Sequence, residues 1–213
     1  MPRQWNKGET LEQYKERMID SISESYCAAK WYNATIWLGH GQTASCHHPP
    51  GHWIPLEELK DNYTAIHNTK HKKLMRKYMQ EGKRPAECEY CWKVEDMGKG
   101  HVSDRTFKTE IFKDEDIHKS AEMPWDENVM LRTLEISFDR ACNFSCSYCN
   151  PAFSTAWVKD INTYGGYENI QSDGRGHFVD TAEWAKPAAK HEEDNPYIQA
   201  FHKWWENGLA DNL

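Results

Sequence analysis

Three cysteines lie within eight residues of the second half of the chain, in the sequence CNFSCSYC. Cys142, Cys146 and Cys149 are separated by three and then by two residues. Thiolates are ligands for zinc and for iron–sulfur clusters, and a closed tetrahedral site uses four protein ligands. Three thiolates on one short loop therefore either need a further ligand from elsewhere or leave one position open.

An open position would have a chemical use. A 4Fe–4S cluster has four iron corners, each usually held by a thiolate, so the three cysteines would leave one iron free to bind a substrate or cofactor as a Lewis acid. Tyr148, which precedes the third cysteine, would lie against a flat ligand at that iron. The alternative is a structural zinc loop that takes its fourth ligand from His101 or His177.

The other four of the seven cysteines all lie upstream, and the division into three and four is the main clue to function. They are Cys27, Cys46, Cys88 and Cys91. A predicted hairpin would bring the first two together, and the CxxC turn of the last two offers adjacent thiolates. A four-cysteine zinc site is one interpretation, with His47, His48 and His52 as substitute ligands or neighbouring groups.

Composition limits the classes of function. Of 213 residues, 38% are hydrophobic and 13% aromatic, which favours a folded core, and the formal charge of −7 gives no general attraction for nucleic acid or an anionic membrane. We find no apolar run of about 18 residues and no signal peptide, so we expect a cytoplasmic protein. In a reducing compartment clustered cysteines are metal ligands or catalytic groups rather than disulfides.

Hydrophobic periodicity predicts helices on both sides of a short sheet. Thr10 and Gln13 form a capping box for a first helix, and a hairpin is expected around Gly39-His40-Gly41. A further helix is expected from Thr69 toward Gly82, with Leu74, Tyr78 and Met79 inward. The cations of this helix are expected to be exposed, as a solvated face or as a patch for an anionic partner; they are Lys70, Lys72, Lys73, Arg76 and Lys77.

The second half of the chain has weak hydrophobic periodicity before one clear strand. The segment from Met97 to about Asn128 is polar and weakly periodic, which predicts a linker or a wrapping segment. LRTLEISFD alternates as a strand does and leads directly into the cysteine loop. A last helix is expected from the Asn195 cap to Gly208, with a wide apolar face that has nothing to pack on; that face comprises Ile198, Phe201, Trp204 and Trp205.

The loop resembles a known signature. Cys142-x3-Cys146-x2-Cys149, with Tyr148 and a preceding strand, is similar to the cluster-binding motif of radical S-adenosylmethionine (SAM) enzymes. The resemblance implies that the open iron chelates SAM and that one electron from the cluster cleaves it, giving a radical that abstracts hydrogen from a substrate.

The upstream cysteines carry a second resemblance. Cys27-x13-Gly41-x4-Cys46 resembles the opening of SPASM/twitch domains, in which such positions and a close pair like Cys88 and Cys91 hold one auxiliary 4Fe–4S cluster. The wider chain is similar to twitch domain-containing radical SAM proteins common in phage genomes. The segments that carry this are GQTASCHHPPGHWIPLEEL, HNTKHKKLMRKYMQEGKRPAECEYCWKVED and NPYIQAFHKWW.

These resemblances imply an α+β chain with a twitch-like auxiliary-cluster domain at 1–98, a linker at 99–130 and the start of a radical SAM partial (β/α) barrel at 131–213. The Gly-Gly-Glu motif that contacts SAM in the family is missing, so we expect an incomplete core, inactive alone and completed by a complementary chain. A reductant and an unknown substrate, with peptides as a weak expectation, would be further partners, in the host cytoplasm if the protein is phage-encoded.

Two other classes of function stay open. The chain could be a non-catalytic iron–sulfur electron carrier or accessory subunit that uses no SAM, or a zinc-stabilised binding protein. Iron, sulfide and zinc content separates the last of these from the others.

Overall fold

The computed structural model describes residues 6–170 and 178–213, which form a mixed α+β fold around one small sheet. Its strands are β1 (Asn33–Trp37), β2 (Gln42–Ala44), β3 (His52–Trp53) and β4 (Thr133–Ser137). Its α-helices are α1 (Leu11–Lys15), α2 (Ala29–Tyr32), α3 (Leu56–Asp61), α4 (Lys70–Gln80), α5 (Glu89–Glu95), α6 (Asp104–Thr109), α7 (Asp114–Glu122), α8 (Thr155–Tyr164) and α9 (Pro196–Trp204).

Short turns of other helical types extend or connect these elements. π-Helical turns follow α1 (Glu16–Asp20) and α9 (Trp205–Leu209). 3₁₀ turns lie at Tyr63–Ile66, Ala86–Cys88, Glu183–Ala185, Glu192–Asp194 and Ala210–Asn212.

The sheet has the strand order β3-β2-β1-β4, so β1 is central. β1 pairs antiparallel with β2 in the predicted hairpin, with Thr35 opposite Ala44. It also pairs parallel with β4, with Asn33 opposite Thr133, which joins segments about 100 residues apart. The strand expected within LRTLEISFD is therefore present, and its partner is β1.

The two faces of the sheet differ because side chains alternate along a strand. Ala34 and Ile36 of β1 lie in one core cluster with Leu134 and Ile136 of β4, and α9 packs on this face. On the opposite face Trp37 and Glu135 border a large open pocket. A second core cluster joins α1 and α2 to the segment 109–129.

The C-terminal helix begins as expected but packs differently. The side chain of Asn195 accepts hydrogen bonds from the backbone N–H groups of the first turn, and Pro196 takes the first helical position. The expectation of an uncovered apolar face is wrong for Ile198, Phe201 and Trp204, which are buried against the sheet.

The expected exposure of the α4 cations is wrong at two positions. Lys72 and Arg76 are buried, whereas Leu74, expected inward, is 39% exposed. Periodicity alone placed the cations outside, but non-local carbonyl and hydroxyl oxygens give both of them hydrogen-bond partners inside. Met79 is buried as expected.

The segment 99–130 is not an extended linker, because it contains α6 and α7. Arg105 of α6 is 2% exposed and forms ion pairs with Asp20 at 2.7 Å and Glu95 at 2.6 Å. Ile117 of α7 lies in the core cluster that includes α1. The predicted division into domains stays a prediction. Among the described residues, no helix is both long and apolar enough to cross a membrane.

Candidate functional site

The four upstream cysteines line one cavity, although 64 residues separate the first from the last. Cys27 precedes α2, Cys46 follows β2, and Cys88 and Cys91 lie at the start of α5. Three of the four are less than 10% exposed, and Cys46 is partly exposed. The hairpin and the CxxC turn thus bring these four side chains together around one space.

The separation of the sulfur atoms bears on the kind of metal group. A tetrahedral zinc site with Zn–S bonds of about 2.3 Å places its sulfur atoms about 3.8 Å apart. Among the described residues, no three cysteine sulfurs lie within 4.8 Å of one another. A four-iron cluster separates its thiolates further, because each binds a different corner.

The size of the cavity favours a single zinc ion over a cluster. Its volume is about 20 Å³, and one water needs about 10–15 Å³. It has room for a single ion once the cysteine side chains turn towards it, whereas a cluster needs a larger space. Rotation of the cysteine side chains costs little, so the sulfur separations and the cavity volume both leave zinc and a cluster as candidates.

The cavity is basic as well as rich in sulfur. Lys30, Arg105 and Lys108 line it together with the cysteines. Burial lowers the pKa of Lys30, but the negative charge that Cys88 carries when ionised and the ion-paired Glu87 raise it more, and the net result is a pKa of about 12. Lys30 therefore stays charged and stabilises negative charge on the sulfur atoms.

Two further buried cations lie near this cavity without lining it. Lys72 donates to Thr43 Oγ1 at 2.8 Å and to the carbonyl of Ala44 at 3.1 Å, two residues before Cys46. Arg76 donates to the carbonyl of Lys30 at 3.0 Å. Neither takes part in any ion pair between described residues. Burial is the main cause that holds the pKa of Lys72 well below its usual value, and the charges of Arg76 and Lys30 lower it further.

The cysteines themselves are held as thiols in the metal-free state. Burial is the largest effect on all four, and it raises the pKa of Cys27 to about 12. Binding of a metal group therefore has to displace protons, and the nearby cations favour the thiolate form that results.

A separate group of possible ligands adjoins this cavity. Nε2 of His48 lies 2.7 Å from Asp104 Oδ2, and Nε2 of His47 lies 3.3 Å from the same oxygen. Their ligand atoms all fall within 4.8 Å, and the His48 ring stacks on Tyr90. The three could hold a divalent ion. His52 does not join them, because its Nε2 lies 3.0 Å from Thr69 Oγ1.

The Cys142 loop connects β4 to α8 and is held by its backbone. Thr155 of α8 accepts from the N–H of Cys142 at 3.0 Å and donates to its carbonyl at 2.9 Å. Trp157 donates from Nε1 to the carbonyl of Cys146 at 3.0 Å. Cys142, Cys146 and Cys149 are each partly exposed. The thiols of Cys142 and Cys149 lie 3.8 and 3.7 Å from the carbonyls of Phe144 and Asn150 in the same loop.

The other residues suggested for this loop are less engaged. Tyr148 is 86% exposed, and its hydroxyl bonds to Cys146. His101 is exposed and is not part of any three-ligand group among the described residues. His177 lies outside the described residues.

Sequence reasoning did not find several residues of the site. Lys30, Lys72 and Arg105 have no local pattern that marks them, since each is placed by contacts distant in sequence. No local pattern marks Asp104 either, since His48, which it contacts, lies 56 positions away in the sequence.

Comparisons with protein-family models, with curated proteins and with solved structures give no match to this chain. The resemblance to radical SAM and twitch proteins rests on the motifs alone.

Proposed function

We propose that the chain is an iron–sulfur protein of the radical SAM type with two cluster sites. Cys27, Cys46, Cys88 and Cys91 would hold an auxiliary 4Fe–4S cluster, the role that their spacing suggests. The observation that carries the proposal is that these four side chains, distant in sequence, line one cavity, and that no three cysteine sulfurs of the described residues lie within 4.8 Å of one another.

The charge around the cavity supports the same proposal. A cluster ligated by four thiolates is anionic, and buried cations without carboxylate partners are costly unless an anion lies nearby. Lys30 and Arg105 line the cavity, but each is already ion-paired with carboxylates. Lys72 has no ion pair between described residues and lies near the cavity against the strand that leads to Cys46. An anionic cluster would favour the charged form of Lys72, against the burial that lowers its pKa.

The second site is the loop with Cys142, Cys146 and Cys149, which we propose for a cluster with one open iron and for SAM. Such a cluster, when bound, supplies an electron that cleaves SAM. Thr155 and Trp157 hold the loop backbone, and the three cysteines are partly exposed. Tyr148 is 86% exposed, and it would exchange its bond to Cys146 for contact with a flat ligand.

The remaining parts of the proposal follow from the resemblance. A reductant would serve the clusters, a complementary chain would supply further barrel strands, and the compartment would be the cytoplasm. The substrate of the radical reaction is unknown, with a peptide as the proposed class. A carrier or accessory subunit that keeps both clusters but binds no SAM is the alternative within iron–sulfur chemistry.

Zinc at the four-cysteine site is a second candidate, because the cavity of about 20 Å³ has room for a single ion once the cysteine side chains turn towards it. It would make that part of the chain a zinc-stabilised binding module.

Anaerobic reconstitution tests the proposal. We expect about eight irons and eight sulfides per chain, and about four of each when Cys142, Cys146 and Cys149 are changed together to Ala. Changing Cys88 and Cys91 to Ala should remove the other cluster. The matched control is Ser145→Ala with Ser147→Ala in the same loop, which should keep both. Zinc without acid-labile sulfide in iron-fed, anaerobically purified protein would overturn it.

A further inference from the structure

A large pocket crosses the sheet face opposite α9 and contains much aromatic surface. Its volume is about 700 Å³, within the range of small-molecule sites. Three indoles border it: Trp37 at the end of β1, Trp53 in β3 and Trp184 in a 3₁₀ turn. Trp53 and Trp184 are about half exposed, a costly state for side chains of this size.

The indoles are arranged around one histidine. The ring of His40 stacks with Trp37 at a centroid distance of 6.5 Å and meets Trp53 and Trp184 edge-on at 6.0 and 5.6 Å. Burial lowers the pKa of His40, and the charge of Arg140 lowers it further. The hydrogen bond to Gln42 raises this pKa, but by less than burial lowers it. The imidazole therefore adds no positive charge to the pocket at neutral pH.

One carboxylate lies in this aromatic setting. Glu135 of β4 is the only Asp, Glu, Lys or Arg among the residues described as lining the pocket. It accepts a hydrogen bond from Thr35 Oγ1 at 3.0 Å, which fixes its direction across the strand pair. Glu135 is exposed and in no ion pair between described residues, so its carboxylate is accessible to a ligand.

The pocket also lies between the two groups of cysteines. β2 runs antiparallel to β1, so Cys46, two residues after β2, lies near the amino end of β1. β4 runs parallel to β1 and leads to Cys142 beyond its carboxyl end. Cys46 lines the pocket, and so does Phe153, four residues after Cys149.

We infer that this pocket binds an organic cation, namely a primary ammonium or guanidinium group on an apolar stem. Indole faces attract cations within about 6 Å of the ring centroid, and a carboxylate supplies the counter-charge. The apolar stem would lie along Trp53 and Trp184, with the charged end at Glu135. The inference that such a ligand is the substrate rests on the proposed function. The inference that the pocket binds it does not.

Binding to the full-length, anaerobically purified chain tests the inference. The probe is Nα-acetyl-lysine methylamide, and the control ligand is Nα-acetyl-norleucine methylamide, which has the same stem without the ammonium group. Titration is followed by calorimetry and by the indole N–H resonances, assigned with Trp37→Phe, Trp53→Phe and Trp184→Phe. n-Butylammonium as a third ligand distinguishes a free amine from an amino-acid side chain.

We expect the lysine derivative to bind at least about tenfold more tightly than the norleucine derivative and to shift the three indole resonances. Glu135→Gln, which keeps the size and the Thr35 bond, should weaken the lysine derivative about three- to tenfold and leave the norleucine derivative unchanged. Glu206→Gln, an exposed carboxylate distant in sequence on the C-terminal π-helical turn, should change neither.

Equal affinity for both derivatives, an unchanged affinity in Glu135→Gln, or no binding at millimolar concentrations would overturn the inference. Competition by SAM for the same indole resonances would also overturn it, since the pocket would then belong to the SAM site. Iron and sulfide are measured in the same samples, so failure of this inference is distinguishable from failure of the proposed function.

Discussion

Gly41 in the turn between β1 and β2 should tolerate no side chain. Its φ is +77°, and a Cβ built there would lie 2.1 Å from Cζ of Tyr197 and 2.2 Å from Cε2. The backbone has little freedom to move away, because the N–H of Gly41 donates to the carbonyl of Trp37 and its carbonyl accepts from Ile54, both at 2.8 Å. The ring of Tyr197 is buried and donates from its hydroxyl to the carbonyl of Ile54.

Gly41→Ala should therefore lower the free energy of unfolding for two separate reasons. Holding an alanine in the left-handed region costs about 1–2 kcal/mol. Forcing a methyl group into a packed ring costs about 1–3 kcal/mol more. We expect a loss of about 2–5 kcal/mol in the free energy of unfolding, measured by urea titration.

Two comparisons separate these costs. Gly82 has a φ of +72° with nothing within 4 Å of a built Cβ, so Gly82→Ala should lose only the conformational part, about 1–2 kcal/mol. Adding Gly41→Ala to Tyr197→Ala should also cost only that part. The reasoning is refuted if Gly41→Ala costs no more than Gly82→Ala, or if it costs as much in the Tyr197→Ala background as in the natural chain.

Three other predictions concern charge and ionisation. In the chain freed of metal by a chelator, burial raises the pKa of Cys27 from 9.0 to about 12. The thiol therefore ionises at lower pH in the unfolded chain than in the folded one. The free energy of unfolding should fall as the pH rises from 9.0 to about 12. The slope is up to about 1.4 kcal/mol per pH unit, and Cys27→Ala should lessen it in urea titrations; equal slopes would contradict this origin. Arg105→Gln should destabilise by about 2–4 kcal/mol in thermal unfolding, because it removes the buried guanidinium from Asp20 and Glu95 and leaves these carboxylates only Lys15 as an ion-pair partner among the described residues. Arg84→Gln at an exposed pair should cost less than about 1 kcal/mol, and similar costs for the two changes would be evidence against a buried ion-pair network. Lys72→Met should make the midpoint potential of the proposed auxiliary cluster more negative, and the exposed Lys70→Met should not; an unchanged potential in redox titration would show that the Lys72 charge does not act on that site.

Local chemistry was predictable from the sequence where its partners are close in the chain. The Thr10–Gln13 capping box is confirmed, since Thr10 accepts from the N–H of Gln13 and the Gln13 side chain accepts from the N–H of Thr10. The Asn195 cap and the β1–β2 hairpin are confirmed for the same reason. Each of these features depends on residues fewer than about ten positions apart.

Features that depend on distant partners were not predictable. Arg76 looks like an exposed helical cation until the carbonyls of Lys30 and Glu127 are known to surround it. The parallel pairing of β4 with β1 crosses about 100 residues, and no local pattern specifies it. The helix α6 has weak periodicity because Arg105 takes an inward position that an apolar residue would normally occupy.

The central strand relates the two groups of cysteines to each other. Because β2 and β4 leave β1 in opposite directions, the segment with Cys46 and the loop with Cys142 lie at opposite ends of the same strand. A five-residue strand is about 17 Å long, which sets the scale of the interval between those two ends. The sheet therefore favours two separate groups of cysteines, in agreement with their division into four and three along the sequence. The face with Trp37 and Glu135 spans the interval, which is why a ligand in the aromatic pocket would lie between the two sites.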